Sequence, residues 1–141
     1  MITGDLYINT GKDRDLIVFS GISVGGNAEF STGHGSDLVN LGRNLFLRDL
    51  TINMGVHGDM LATVSSGGLI VGNLLVEMGQ GDDTILAVRS SDPQFAIGSF
   101  ATFDGGQSVD TFDPSGMTDL DGNPIDPAKF LRLNFEIPES E

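Results

Sequence analysis

The chain has 141 residues, with 20 acidic and 7 basic side chains and a net charge of −13. Such a surface repels nucleic acid and anionic lipid and suits divalent cations or basic partners. Cysteine is absent, which excludes disulfide and thiolate chemistry, and no stretch is long and apolar enough to insert into a bilayer.

The predicted elements come in units. In the first, Leu6 and Ile8 flank Tyr7, Gly11 and Asp15 mark a turn, Ile17 and Phe19 follow, and Ile22 to Val24 close the unit. The second repeats this with Ala28 and Phe30, Gly33 and Asp37, Val39 and Leu41, then Leu45 to Leu47. The third has Leu50 and Ile52, Gly55 and Asp59, Leu61 and Thr63, then Leu69 to Val71. The fourth has Leu74 and Val76, Gly79 and Asp83, Ile85 and Ala87. The fifth has Ala101 and Phe103, Gly106 and Asp110, Phe112 and Pro114. The glycines step by 22, 22, 24 and 27 residues. Self-similarity at such a period marks a repeat architecture. Alternation within each apolar pair marks a strand with one buried face.

Each period therefore holds three short strands and three turns. Stacked at the strand spacing of about 4.8 Å, equivalent residues form continuous apolar columns. The expected fold is all-β: a right-handed parallel β-helix of about five coils over residues 1–112. Residues 113–141 are expected to form an acidic loop and a C-terminal strand acting as a cap. A loop is expected from Ser90 to Gly98, around Asp92-Pro93. In the terminal strand, Lys129 to Ile137, the residues Leu131, Leu133, Phe135 and Ile137 form the apolar side. Arg132, Asn134 and Glu136 form the polar side. This strand is expected to cover the open end or flank of the helix.

Three features are candidate sites. Asp15, Asp37, Asp59, Asp83 and Asp110 should stack on one edge, with Asp13 and Asp82 beside them. Carboxylates this close repel unless each is hydrogen-bonded or a cation intervenes, and calcium accepts several such oxygens. The plainer reading has each Asp capping its own turn. Asn27 and Asn73 suit the same task at a second corner. The run Asp119, Asp121, Asn123 and Asp126 alternates oxygen donors around Gly122, like the start of a calcium loop, but lacks the closing Glu; an ordinary acidic turn is the rival. Lastly, Leu16, Leu38 and Met60, then Val18, Ala62 and Leu86, should point outward as an apolar stripe. Either the C-terminal strand or a second copy of the chain should cover it, and self-association is favoured. His34 and His57 lie in consecutive turns but one position out of step, which disfavours a metal pair. No nucleophile–base pair emerges, and the main basic candidates for a catalytic face, Arg43, Arg48 and Arg89, do not cluster.

The units ITGDLYINTGKDRDLIVF, GGNAEFSTGHGSDLVNL and VGNLLVEMGQGDDTIL, within residues 2–112, resemble the repeats of planctomycete-type β-helical surface proteins. Gly33, Gly35, Asp37 and Val39, and again Gly79, Gly81, Asp83 and Ile85, resemble the later half of the RTX calcium nonapeptide. RTX repeats are tandem, whereas these turns are a whole coil apart. The resemblance implies a β-helix with a structural or adhesive role at the cell surface or outside it, although MITGDLYINT is not a signal peptide. A non-enzymatic, self-associating module is therefore expected, with calcium as candidate cation and a polysaccharide or cell-surface component as candidate partner. The alternatives are a polysaccharide-binding or polysaccharide-degrading enzyme and a scaffold that polymerises end to end, resembling bactofilins in outline.

Overall fold

A computed structural model describes residues 1–63, 67–87 and 95–135. Arg89, Asp92, Pro93, Glu136 and Ile137 lie outside these. Three parallel sheets run along the molecule. The first holds β1 (Leu6–Asn9), β4 (Ala28–Ser31), β7 (Leu50–Asn53), β10 (Leu74–Glu77), β13 (Ala101–Asp104) and β16 (Phe130–Leu133). The second holds β2 (Leu16–Phe19), β5 (Leu38–Leu41), β8 (Met60–Ala62), β11 (Thr84–Leu86) and β14 (Thr111–Asp113). The third holds β3 (Ser23–Val24), β6 (Leu45–Phe46), β9 (Gly68–Ile70), β12 (Phe95–Ile97) and β15 (Met117–Thr118). The chain visits the sheets in rotation, which makes a β-solenoid.

The apolar columns set the register. Ile8 pairs with Phe30, Phe30 with Ile52, Ile52 with Val76, and Val76 with Phe103. All but Ile8, at the end of the stack, are fully buried. Val39, Leu61 and Ile85 continue the core from the second sheet, and Val24, Phe46 and Ile70 from the third. The ring of Phe30 lies 4.9 Å from Phe19 and 6.2 Å from Phe46. Each buried Phe, Ile or Leu contributes about 1.5–3 kcal/mol by leaving water.

The turns between sheets differ in tolerance. From the first sheet to the second the connection is Thr10–Asp15, Thr32–Asp37, Met54–Asp59, Met78–Asp83 or Gly105–Asp110, the same length in every coil. The two longer periods gain their residues between the second and third sheets, after β8 and after β11. In this constant turn Gly11, Gly33, Gly55, Gly79 and Gly106 all have positive φ. They also stack: a Cβ on Gly55 would strike the carbonyl of Gly33, which already accepts the Val56 N–H at 2.9 Å. Both conformation and space exclude a side chain there.

The 22–27-residue repeat covers the four turns from β1 to β13. The next turn departs from it, and the solenoid runs on past residue 112 through β15 and β16. Two expectations need correction. Phe95–Ile97, expected in a loop, forms β12, and Gly68 opposite it leaves room for the Phe95 ring. The C-terminal strand is present but has the opposite phase. Phe130 and Arg132 align with the buried Ala101 and Phe103, while Leu131 and Leu133 are exposed. The cause is aromatic stacking. Phe130 packs 5.3 Å from Phe103 and 5.4 Å from Phe112, and Phe135 packs 5.1 Å from Phe112. The Arg132 guanidinium lies over Phe112 and Phe135, at 5.6 and 5.3 Å, so a cation closes the aromatic end of the core.

The glycine stack gives a test. Gly55→Ala should destabilise the fold by at least about 1–2 kcal/mol. Gly4→Ala, with open space around it and no positive φ, should change stability by less than about 0.5 kcal/mol. Urea unfolding of the two variants checks this.

Candidate functional site

The constant turn delivers one aspartate to the same corner in every coil, just before the second sheet begins. The backbone N–H of Asp15 donates to Oδ1 of Asp37 at 2.7 Å. That of Asp37 donates to Asp59 at 2.8 Å, that of Asp59 to Asp83 at 2.7 Å, and that of Asp83 to Asp110 at 2.9 Å. The carboxyls of Asp37, Asp59, Asp83 and Asp110 thus each cap the turn of the coil before. The five candidates are brought together as a ladder of cross-coil hydrogen bonds.

The other carboxyl oxygen differs. Oδ2 of Asp15, Asp37, Asp59 and Asp83 is enclosed and accepts no hydrogen bond. Burial pushes the Asp59 carboxyl up to about 7; the Asp37 N–H opposes this, and the charges of Asp83 and Asp37 add to it. Burial likewise raises Asp83 to about 6, opposed by the Asp59 N–H and reinforced by Asp110 and Asp82. Calcium takes six to eight oxygens. Asp15, Asp37, Asp59 and Asp83 each offer one unused oxygen, and among the described residues no three acidic or histidine side chains converge on one point.

The second acidic candidate is organised around itself. Oδ1 of Asp119 accepts the N–H groups of Asp121 at 2.9 Å and Asn123 at 2.8 Å, and Oδ2 accepts from the Asn123 side chain at 3.3 Å. These donors, the Asn123 N–H foremost, hold the Asp119 carboxyl below the usual range. Asp119 is the anion of its own Asx turn. Asp126 caps the next turn, accepting from the Ala128 N–H at 2.9 Å.

A second corner ladder was expected only at Asn27 and Asn73; Asp5 and Asp49 escaped the sequence reasoning. Asp5 accepts the Asn27 N–H at 2.8 Å, Asp49 accepts the Asn73 N–H at 2.7 Å, and Asn73 accepts the Phe100 N–H at 3.2 Å. The signal was available: Asp5, Asn27, Asp49 and Asn73 each stand one residue before a first-sheet strand. Asn44 serves the third corner, accepting from Ile22 N–H at 3.2 Å and donating to the Phe19 carbonyl at 3.1 Å.

The outward stripe is present in part. Leu16, Val18 and Met60 are exposed, and Leu38 and Leu86 are half-buried, but Ala62 is buried at 4%. β16 extends the first sheet, so it does not cover a stripe on the second. His34 shares a column with Val56, and His57 takes a positive-φ slot with Nδ1 2.6 Å from the Val56 carbonyl, so the two histidines stay out of step. Arg43 lines a shallow cavity with Leu45, Leu69 and Leu120, and Arg48 is exposed. No helix among the described residues is long and apolar enough to cross a membrane.

Asp83→Ala would strand the buried Asp59 N–H and should cost about 1–3 kcal/mol in chemical denaturation. Asp83→Asn retains an acceptor oxygen for the Asp59 N–H and should avoid that cost. Against known proteins, no family model matches the chain, and neither a curated protein nor a solved structure matches it.

Proposed function

We propose that this chain is a non-enzymatic structural module of a secreted or cell-surface protein, self-associating through the apolar stripe on its second sheet. The stripe carries this reading. Leu16 is 66% exposed, Val18 57% and Met60 40%, on strands held rigidly by the corner ladders. Clustered apolar side chains on a rigid sheet favour burial against another surface. A parallel sheet apolar on both faces is normally covered on both. The polar groups at the corners support the same reading, because their hydrogen bonds link coils.

Light scattering across protein concentrations, in chelator and then in calcium, tests the proposal. A discrete oligomer is expected. Leu16→Ser should weaken its dissociation constant roughly tenfold to a hundredfold while leaving the unfolding transition of the solenoid nearly unchanged. A monomer under every condition, or turnover of a polysaccharide, would contradict it.

A further inference from the structure

We infer that the aspartate column stores protons: in the folded chain the buried carboxyls of Asp59 and Asp83 are protonated in mildly acidic solution, and the coil stack is stronger there than at alkaline pH. The geometry carries this. Asp37, Asp59 and Asp83 are only 3%, 3% and 1% exposed, yet each offers an enclosed Oδ2 that accepts nothing. From the ladder each of these carboxyls receives one N–H bond, to Oδ1. For Asp59 and Asp83, enclosure with like groups one coil above and below favours the neutral form.

The charged surroundings point the same way. Asp37 and Asp83 bracket Asp59, and Asp110 and Asp82 flank Asp83. The outer side of the corner is a groove of about 340 Å³ lined by Arg14, Asp37, Asp59 and Asp82. Arg14 is the basic side chain among the residues lining that groove. Lys12, Asp13, His34 and His57 occupy exposed positions of the same turns. A proton on Asp59 removes its charge from Asp83, so these two carboxyls are coupled. It also leaves the ladder intact, because the carbonyl oxygen of a carboxylic acid still accepts the N–H.

The sign follows from linkage. Folded Asp59 and Asp83 titrate near 7 and 6, against 3.8 for a free side chain. Between about pH 4 and pH 7 the folded chain holds more protons on these groups than the unfolded one. Stability from these groups is therefore full below pH 4, is lost as pH rises through 6 and 7, and is level above.

Thermal unfolding from pH 5 to pH 8 tests this on the whole chain, with Asp59→Asn, Asp83→Asn and, as an exposed-charge control, Glu29→Gln. Infrared spectra of the native chain report the carbonyl stretch of protonated carboxylic acids. The wild-type melting temperature should fall by roughly 5 °C over this range. Either Asn variant should flatten the fall and melt above wild type at pH 8, and Glu29→Gln should keep the wild-type slope. A protonated-acid band should persist at pH 6 and vanish on titration to alkaline pH. A flat or rising wild-type profile would overturn the inference, as would a full slope in both Asn variants. If neither Asn variant folds, absence of the infrared band at pH 6 in the wild type would overturn it alone.

Discussion

The bond from the N–H of one aspartate to the carboxyl of the next, a coil away, is the constraint on which the solenoid depends. A parallel sheet satisfies strand backbones, but every corner of the coil turns N–H groups away from the ladder. Buried and unpaired, each would cost about 1–3 kcal/mol. Asp37, Asp59, Asp83 and Asp110 cover that cost at one corner, Asp5, Asp49 and Asn73 at another, and Asn44 at the third. Because the donor and acceptor lie in different coils, the bond fixes the height of a rung as well as the shape of its turn.

This explains why the corners of this chain differ in the constancy of their length. The turn from the first sheet to the second needs stacked glycines and an aspartate at a fixed distance from them, so its length is the same in all five coils. The added residues of the longer periods fall instead after β8 and after β11. The same corner concentrates negative charge inside the molecule. Hydrogen bonding to one carboxyl oxygen leaves the other unserved, so the geometry that aligns the coils also raises the proton affinity of Asp59 and Asp83.

Much of the fold was legible because repetition multiplies a weak signal. One pair such as Ile52 and Leu50 says little; five pairs in phase define a column. The aspartates were also legible as turn residues. Their direction was not, since a spacing of 22 residues does not say whether Asp37 serves its own amide or that of Asp15. β12 was hidden because the residues inserted before it broke the phase. β16 was misread for a different reason. Leu131 and Leu133 look more apolar than Arg132, but a guanidinium stacked on Phe112 and Phe135 fills the end of an aromatic core and keeps its charge at the edge. The stripe was legible except at Ala62, where a small side chain is buried.

Amide hydrogen exchange at Asp37, Asp59 and Asp83 tests the central claim most directly. If their N–H groups are bonded across coils, these turn amides should be protected as strongly as those of the core strands, exchanging only with global unfolding. The exposed turn amide of Ser36 should exchange orders of magnitude faster. Equal, rapid exchange at all of these turn positions would contradict the ladder, and with it the account of why the coils stack in this register.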